Sequence, residues 1–359
     1  MANELETLQQ ELNPTAAAEA AFCVIDFTDH GIVKREVDAV QKRLIDAPLA
    51  LSEAAHEVDA DGHFHRQAPR FTTSFGDQPD QAPAVSDRYR LIVSRSDAFA
   101  HEALIVLTAY GLQDAIAVSV CDPIRTKEGW AFTNQIDHLE PVLNISYLGE
   151  LYVNNDPAYT GRATLPALVD VTTGAIVNND AQALPTAFAT AFAPLSPTNI
   201  DWYPDALRPA IDALRQELYT ELTNAVFEAG FANSQAAYAE AYARVFAELA
   251  KLDERLADQP FLLGEQLTLA DATLFATLVR FDAGYVPVFH TNKYLLTDYK
   301  HLWRYARRLF ALPAFGGTTD FAAIKAGIQL GDFNNDQNPY HLVSKGPQTA
   351  GWYQTPEAI

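Results

Sequence analysis

Two cysteines, Cys23 and Cys121, are all that a chain of 359 residues contains. They stand far apart and fit neither a CxxC nor a zinc-ligand spacing, so neither a disulfide framework nor a structural metal is expected. Both read as small buried apolar residues rather than reactive thiols. Positive charge is scarce too: Lys and Arg number 25 against 46 Asp and Glu, a formal net charge of −21. Such a surface repels phosphate backbones and anionic bilayers, so neither nucleic acid nor membrane is an expected partner. No run reaches the roughly 18 apolar residues of a spanning helix. Residues Met1 to Ala20 are polar and acidic, without a basic n-region or apolar h-region, and a cytoplasmic protein without a signal peptide is expected.

The phosphate-binding signatures GxGxxG and GxxxxGK[ST] are missing, as is any internal repeat, which removes support for dinucleotide and P-loop chemistry. The acidic run Asp332 to Asp336 has the look of a calcium loop, but Gln337 stands where glycine is needed and Val343 where glutamate is needed. His63 and His65 lie two apart in a loop-like segment without further ligands nearby, so no metal site is expected.

What is present has a clear order. Residues 1–86 read as an N-terminal extension and linker, irregular and ending in the Pro- and Asp-bearing run from Asp77 to Asp87. Arg88 to Val93 has strand composition. Ser94 or Ser96 then stands where a cap belongs, before a helix from about Asp97 to Tyr110 that Gly111 ends. A second strand, Ile116 to Cys121, completes a βαβ-type unit. Leu165 to Val171, the turn Thr172-Thr173-Gly174 and Ala175 to Val177 read as an antiparallel hairpin. Pro166 lacks an amide hydrogen and so marks a specially shaped strand entry.

From about Trp202 the texture becomes Ala-, Leu- and Glu-rich with helical spacing, and residues 200–326 are expected to form an all-helical domain. Thr268 followed three residues later by Asp271 has the form of a capping box, opening a buried central helix that runs toward Phe281. Residues 327–359 are expected to be an irregular tail. The fold class expected is an α/β thioredoxin-like domain over 87–195 followed by this all-α domain.

That order, with LLGEQLTLAD in the helical half, resembles the glutathione transferases. Longer strings narrow the resemblance to the Xi class, the glutathionyl-hydroquinone reductases: DGHFHRQAPRF (Asp61 to Phe71), GWAF (Gly129 to Phe132), GRATLPAL (Gly161 to Leu168), AGFANSQAAY (Ala229 to Tyr238), RFDAGYV (Arg280 to Val286) and TNKYLLTDYKHLWRYARRLF (Thr291 to Phe310). They occur in consistent order over roughly residues 55 to 350.

The resemblance implies that the first helix begins with a Cys-Pro-Trp-Ala-His motif whose thiolate attacks the sulfur of a glutathionyl-hydroquinone. Here that stretch is Asp97-Ala98-Phe99-Ala100-His101. A carboxylate suits a helix N-terminus, but it cannot form a mixed disulfide, so the cysteine-dependent reduction is expected to be lost. The hydroxyl of Ser94 or Ser96 could instead serve a bound thiolate, or merely cap the helix. Asp97 could also act as a base toward the ligand thiol.

By the same resemblance, Trp130, Leu165, Pro166 and the pair Asp180-Ala181 belong to the glutathione side. The family's acidic residue survives in that pair and its serine does not. Phe227, Tyr285 and Tyr299 belong to the electrophile side, with Phe227 replacing a tyrosine. Trp130, Tyr285 and Tyr299 also read as packing residues, Asp180 as a cap, His101 as a satisfied core histidine, and Arg280 with Asp282 as a structural ion pair. The expected ligands are glutathione as cosubstrate, or a related thiol, and a small aromatic or quinone-type electrophile, with no metal. A homodimer is expected by analogy, and a non-catalytic descendant is the alternative.

Overall fold

The computed structural model describes residues 57–331 and 338–355. Cys23, the first twenty residues and the acidic run 332–336 lie outside the described residues.

The expected βαβ unit is present. Strand β1 (Tyr89–Ser94), buried along its whole length, pairs in parallel with β2 (Ile116–Cys121) from Tyr89 opposite Ile116 to Ser94 opposite Cys121. Helix α1 (Ala98–Ala109) makes the crossover and buries ten of its twelve residues, as the central helix of a two-layer α/β unit must. Gly111, at a φ of 64°, is the left-handed residue that ends it. Two antiparallel pairings extend the sheet, β1 with β3 (Ala167–Asp170) and β3 with β4 (Ala175–Asn178), to give the order β2-β1-β3-β4. The hairpin turns at Gly174, where φ is +72°.

The third strand starts at Ala167, two residues later than its composition suggests. Pro166 has no amide hydrogen to give to the ladder, so pairing begins only after it. The Leu165–Pro166 peptide bond is cis. Helices α2 (Leu148–Asn155) and α3 (Ala183–Ala189) complete this half.

The helical half begins with α4 (Arg208–Leu218), which passes through a π-helical turn, Tyr219–Thr223, into α5 (Asn224–Phe231). The long α6 (Gln235–Arg255) is capped by Ser234, whose hydroxyl accepts from Ala237 N. At the centre lies α7 (Leu269–Arg280), every residue of which is buried. Its capping box forms as expected: the Asp271 carboxylate accepts from Thr268 N at 2.8 Å and also from Leu262 N and the Tyr305 hydroxyl. Burial raises the Asp271 pKa, and these bonds oppose that rise. A second π-helical turn, Phe281–Tyr285, continues α7. Helices α8 (Lys300–Phe310) and α9 (Phe321–Leu330) follow.

Residues from Gly327 onward are therefore not all irregular. Asp320 caps α9 through Ala323 N, and its apolar run stays buried to Ile328. Gly327 is required there, because a Cβ would stand 2.2 Å from Ser96 Cβ and 2.4 Å from the Pro123 carbonyl oxygen. This close approach brings α9 onto the turn between β1 and α1.

Two buried polar clusters join the halves. Glu102 on α1 accepts from Arg215 Nη2 and from the Thr273 hydroxyl, each at 2.8 Å. Arg280 reaches from α7 to the main-chain oxygens of Arg95, Ser96 and Asp97. The expected Arg280–Asp282 ion pair is absent among the described residues, because Arg280 is spent on those carbonyls while Asp282 accepts from Leu296 N at 2.6 Å. His101 is the satisfied core histidine expected. Its Nδ1 receives Arg280 Nη1 at 2.8 Å, and because arginine can only donate, the ring is neutral and Nε2 donates to Thr318 Oγ1. Desolvation holds its pKa well below the usual value.

Candidate functional site

Between the sheet half and the helical half opens a cleft of about 760 Å3, open mouth included. Its floor is the start of α1. Asp97 is the N-cap: extended backbone there lets the carboxylate turn back to accept from Ala100 N at 2.7 Å. Desolvation raises the Asp97 carboxyl pKa, opposed by the Ala100 bond and by the charges of Arg280 and Arg66. A carboxylate in this position has the helix dipole behind it and the cleft in front.

Capping by Asp97 corrects the reading of Ser94 and Ser96 as caps. Both hydroxyls are buried and committed: Ser94 Oγ donates to the Asp122 carbonyl and Ser96 Oγ to the Pro123 carbonyl at 2.7 Å, and the two lie 3.1 Å apart. The reason is the Ser94–Asp97 turn, which Arg280 pins from one side, leaving the serine side chains to face the loop that follows β2. Ser96 lines the cleft and Ser94 does not.

One wall comes from the sheet half. Trp130 and Leu165 line it, with cis Pro166 directly behind. Asp180 and Ala181 lie outside the cleft lining, at the start of α3, where the Asp180 carboxylate accepts from Gln182 N and Ala183 N. The cap reading of Asp180 is thus satisfied by the structure.

The opposite wall is aromatic. Phe227 on α5 and Tyr285 at the end of the second π-helical turn stand edge to face, 5.7 Å between centroids. Phe231 and Phe289 follow each of them at i+4, the spacing that puts two side chains on one helix face. Phe289 stacks on Tyr285 at 5.5 Å and packs against Phe231 at 5.4 Å. Phe99, two residues beyond Asp97, stacks on Phe227 at 5.7 Å. The Tyr285 side chain is buried, and its hydroxyl has no hydrogen-bond partner among the described residues. Tyr299 does not reach this wall. It stands edge to face with Tyr294 at the head of α8, and burial pushes its pKa up to about 12.

Several cleft residues escaped the sequence reading. Arg66 comes from the segment before the first strand, and its guanidinium lies 4.5 Å from the Phe99 ring centroid and 4.6 Å from that of Phe227. Its signal was its place inside the string DGHFHRQAPRF. Arg162, held by Glu57 at 2.6 Å, also lines the cleft, as do Arg125, Gly327 and Ile328. The last two lie on the closing turn of α9, at and past the expected tail boundary at residue 327.

Cys121 is buried in β2, and its thiol pKa is driven well above normal by desolvation, which fits the inert role expected of it. No group of three or more metal-ligating side chains is found among the described residues, and His65 instead pairs with Asp59 at 2.6 Å. None of the described helices is long and apolar enough to cross a membrane.

Comparison with known proteins agrees with this geometry. The family model for the glutathione S-transferase C-terminal domain matches residues 235–308. Glutathionyl-hydroquinone reductase YqjG of Escherichia coli is 38% identical over 268 residues, covering 74% of this chain and 80% of the relative. Among solved structures, the glutathione-S-transferase Xi from Phanerochaete chrysosporium superposes with a TM-score of 0.75 at 37% identity, over 79% of this chain and 97% of that one. The glutathione-bound structure of YqjG gives a TM-score of 0.72 at 35% identity, over 83% and 96%.

Proposed function

This chain belongs to the glutathione transferase family, in the Xi class with the glutathionyl-hydroquinone reductases, and from that premise we propose that its cleft binds glutathione or a related thiol beside Asp97 and presents it to a small aromatic electrophile. The observation that carries the reading is the juxtaposition of a helix-capping carboxylate, cis Pro166 and Trp130 on one side with the Phe227–Tyr285 aromatic wall on the other. The similar structure of YqjG is a glutathione-bound one.

The chemistry differs from a cysteine mechanism. Asp97 has no sulfur, so the ligand thiol must itself be the nucleophile. For a chlorinated aromatic, the thiol sulfur forms a bond to the ring carbon, the carbon–chlorine bond breaks and chloride leaves. The thiol proton passes to the Asp97 carboxylate and on to water. A carboxyl whose pKa burial has raised is a better proton acceptor than an exposed aspartate. Serine-type activation has less support, since both serine hydroxyls already donate to carbonyls.

A second reading is a non-catalytic thiol-binding descendant, favoured by the same absence of a free activating hydroxyl at the floor of the cleft. Calorimetric titration with glutathione, followed by steady-state turnover of 1-chloro-2,4-dinitrobenzene and of a glutathionylated quinol, separates the two. Saturable binding with turnover of the chlorinated ring supports the transferase reading. Binding with no turnover supports the descendant, and no binding overturns both. Light scattering on the same sample tests the homodimer expected by analogy.

A further inference from the structure

The aromatic wall contains two hydrogen-bond donors that nothing in the protein uses. Arg66 spends its Nε on the Asn224 side-chain oxygen at 2.8 Å, and neither of its Nη groups has a partner among the described residues. Its guanidinium faces the rings of Phe64, Phe99 and Phe227 and pairs with no carboxylate among the described residues. The second unused donor is the buried Tyr285 hydroxyl. Leaving such donors unmatched in a water-poor setting costs free energy unless a ligand matches them.

The charges around the cleft point the same way. Arg66, Arg125 and Arg162 line it, and Asp97 is the acidic residue that does so. Glu57 neutralises Arg162, and the Asp97 carboxylate is turned toward Ala100 N and the positive end of α1. Arg66 remains as a cation with open N–H groups, inside a chain of net charge −21. An arginine fork matches a planar carboxylate with two parallel hydrogen bonds, and phenylalanine faces on either side favour a flat ring.

From this arrangement we propose that the electrophile-side ligand is an aromatic acid, its ring against Phe227 and Phe289 and its carboxylate accepting from Arg66 and the Tyr285 hydroxyl. The proposal rests on the cleft being the electrophile-binding site argued above, and it narrows the ligand class from any aromatic electrophile to one with an ionised acidic substituent. Glutathione also carries carboxylates, so the test must separate the two sources.

The probes are 2-naphthoate and 2-naphthamide, which share a ring system and nearly a shape and differ in charge. Both are titrated calorimetrically into the full chain and into Arg66→Met and Tyr285→Phe, with glutathione titrated into the same proteins. The expected result is that the wild type binds naphthoate about tenfold or more tighter than naphthamide, as a charge-assisted pair of bonds implies. Arg66→Met should abolish that preference, leaving naphthamide and glutathione binding within about threefold. Tyr285→Phe, which removes one oxygen from a packed ring, should reduce naphthoate affinity alone and keeps the test usable if Arg66→Met fails to fold. Equal binding of the two probes by the wild type, or no binding of either, overturns the proposal. So does a preference that survives both substitutions, or a loss of glutathione binding in Arg66→Met without a change in probe preference. Naphthoate preference without glutathione binding would leave this inference standing and remove the thiol reading instead.

Discussion

Arg280 Nη2 donates to the main-chain oxygen of Asp97 at 3.0 Å, so the last residue of the central helix of one half holds the residue that caps the cleft floor in the other. The same guanidinium takes the carbonyls of Ser96 and Arg95 and the Nδ1 of His101. An entire turn of backbone is thereby oriented by one buried cation, and the orientation of Asp97 depends on it.

Replacing Arg280 should therefore be severe. Arg280→Met leaves the Arg95 and Ser96 carbonyls and the His101 Nδ1 without a donor, while the Asp97 carbonyl keeps His101 N, and a loss of about 3 kcal/mol or more is expected from urea unfolding. Arg280→Lys keeps the charge but not the planar fork, and should recover only part of that loss. A change below about 1 kcal/mol in Arg280→Met would show that water replaces the guanidinium at little cost.

The cap at Asp97 makes a separable contribution. Asp97→Ala should lower stability by about 1 kcal/mol through loss of the bond to Ala100 N, whereas Asp97→Asn, an equally good cap, should lie within about 0.5 kcal/mol of the wild type. Thermal unfolding of the three proteins decides it, and equal destabilisation by Ala and Asn would mean that charge rather than capping matters there.

Asp97→Cys probes the thiol reading directly. A thiol at this helix start has a lowered pKa, and after incubation with glutathione disulfide it should carry a mixed disulfide detectable by intact mass, with one glutathione released. The wild type should remain unmodified. An unmodified Asp97→Cys protein would mean that the cleft does not bring a thiol ligand to this position.

Lys325, fully buried on α9, donates to the carbonyls of Ser344, Lys345 and Gly346 at 2.8 to 2.9 Å, and so ties the C-terminal segment to the helix that carries Gly327 and Ile328. Lys325→Met should cost about 3 kcal/mol by leaving the Ser344 and Lys345 carbonyls unmatched, the Gly346 carbonyl keeping the Ser344 hydroxyl. Limited proteolysis should then cut between residues 338 and 349 at least tenfold faster than in the wild type. Unchanged cleavage would show that the Gln329 bonds to Ser344 hold the segment without the ammonium.

Asp282 gives a pH signature. Burial raises its pKa from 3.8 to about 6, the bond from Leu296 N acting in opposition. Between those values the folded protein keeps a proton that the unfolded chain has lost, so its contribution to stability declines as pH rises through this window and the penalty is complete above about 6. Asp282→Asn should be favoured over the wild type by about 2 kcal/mol more at pH 7 than at pH 4. A pH-independent difference would place the Asp282 pKa near its ordinary value.

The order of elements was legible in the residues themselves, because strands and helices declare themselves by local period and by punctuation. β1, α1 and β2 follow one another between Ser and Gly boundaries, the hairpin turns at Gly174, and the box at Thr268 and Asp271 opens α7 where its spacing says it should. Cys121 likewise was readable as a packed residue, since it belonged to no chemical constellation. Only the tertiary structure decided what meets across the cleft. Which of Asp97, Ser94 and Ser96 caps α1 depends on Arg280, 183 residues away from Asp97. Whether Arg280 pairs with Asp282 depends on carbonyls brought to it by another element, and the reach of Arg66 to Phe99 and Phe227 depends on a segment folded back from before the first strand. Periodicity reports which face of an element is buried and says nothing of what is buried against it; hydrogen-bond partners at long separation are set by packing, where each donor takes the nearest acceptor that the assembled core leaves open.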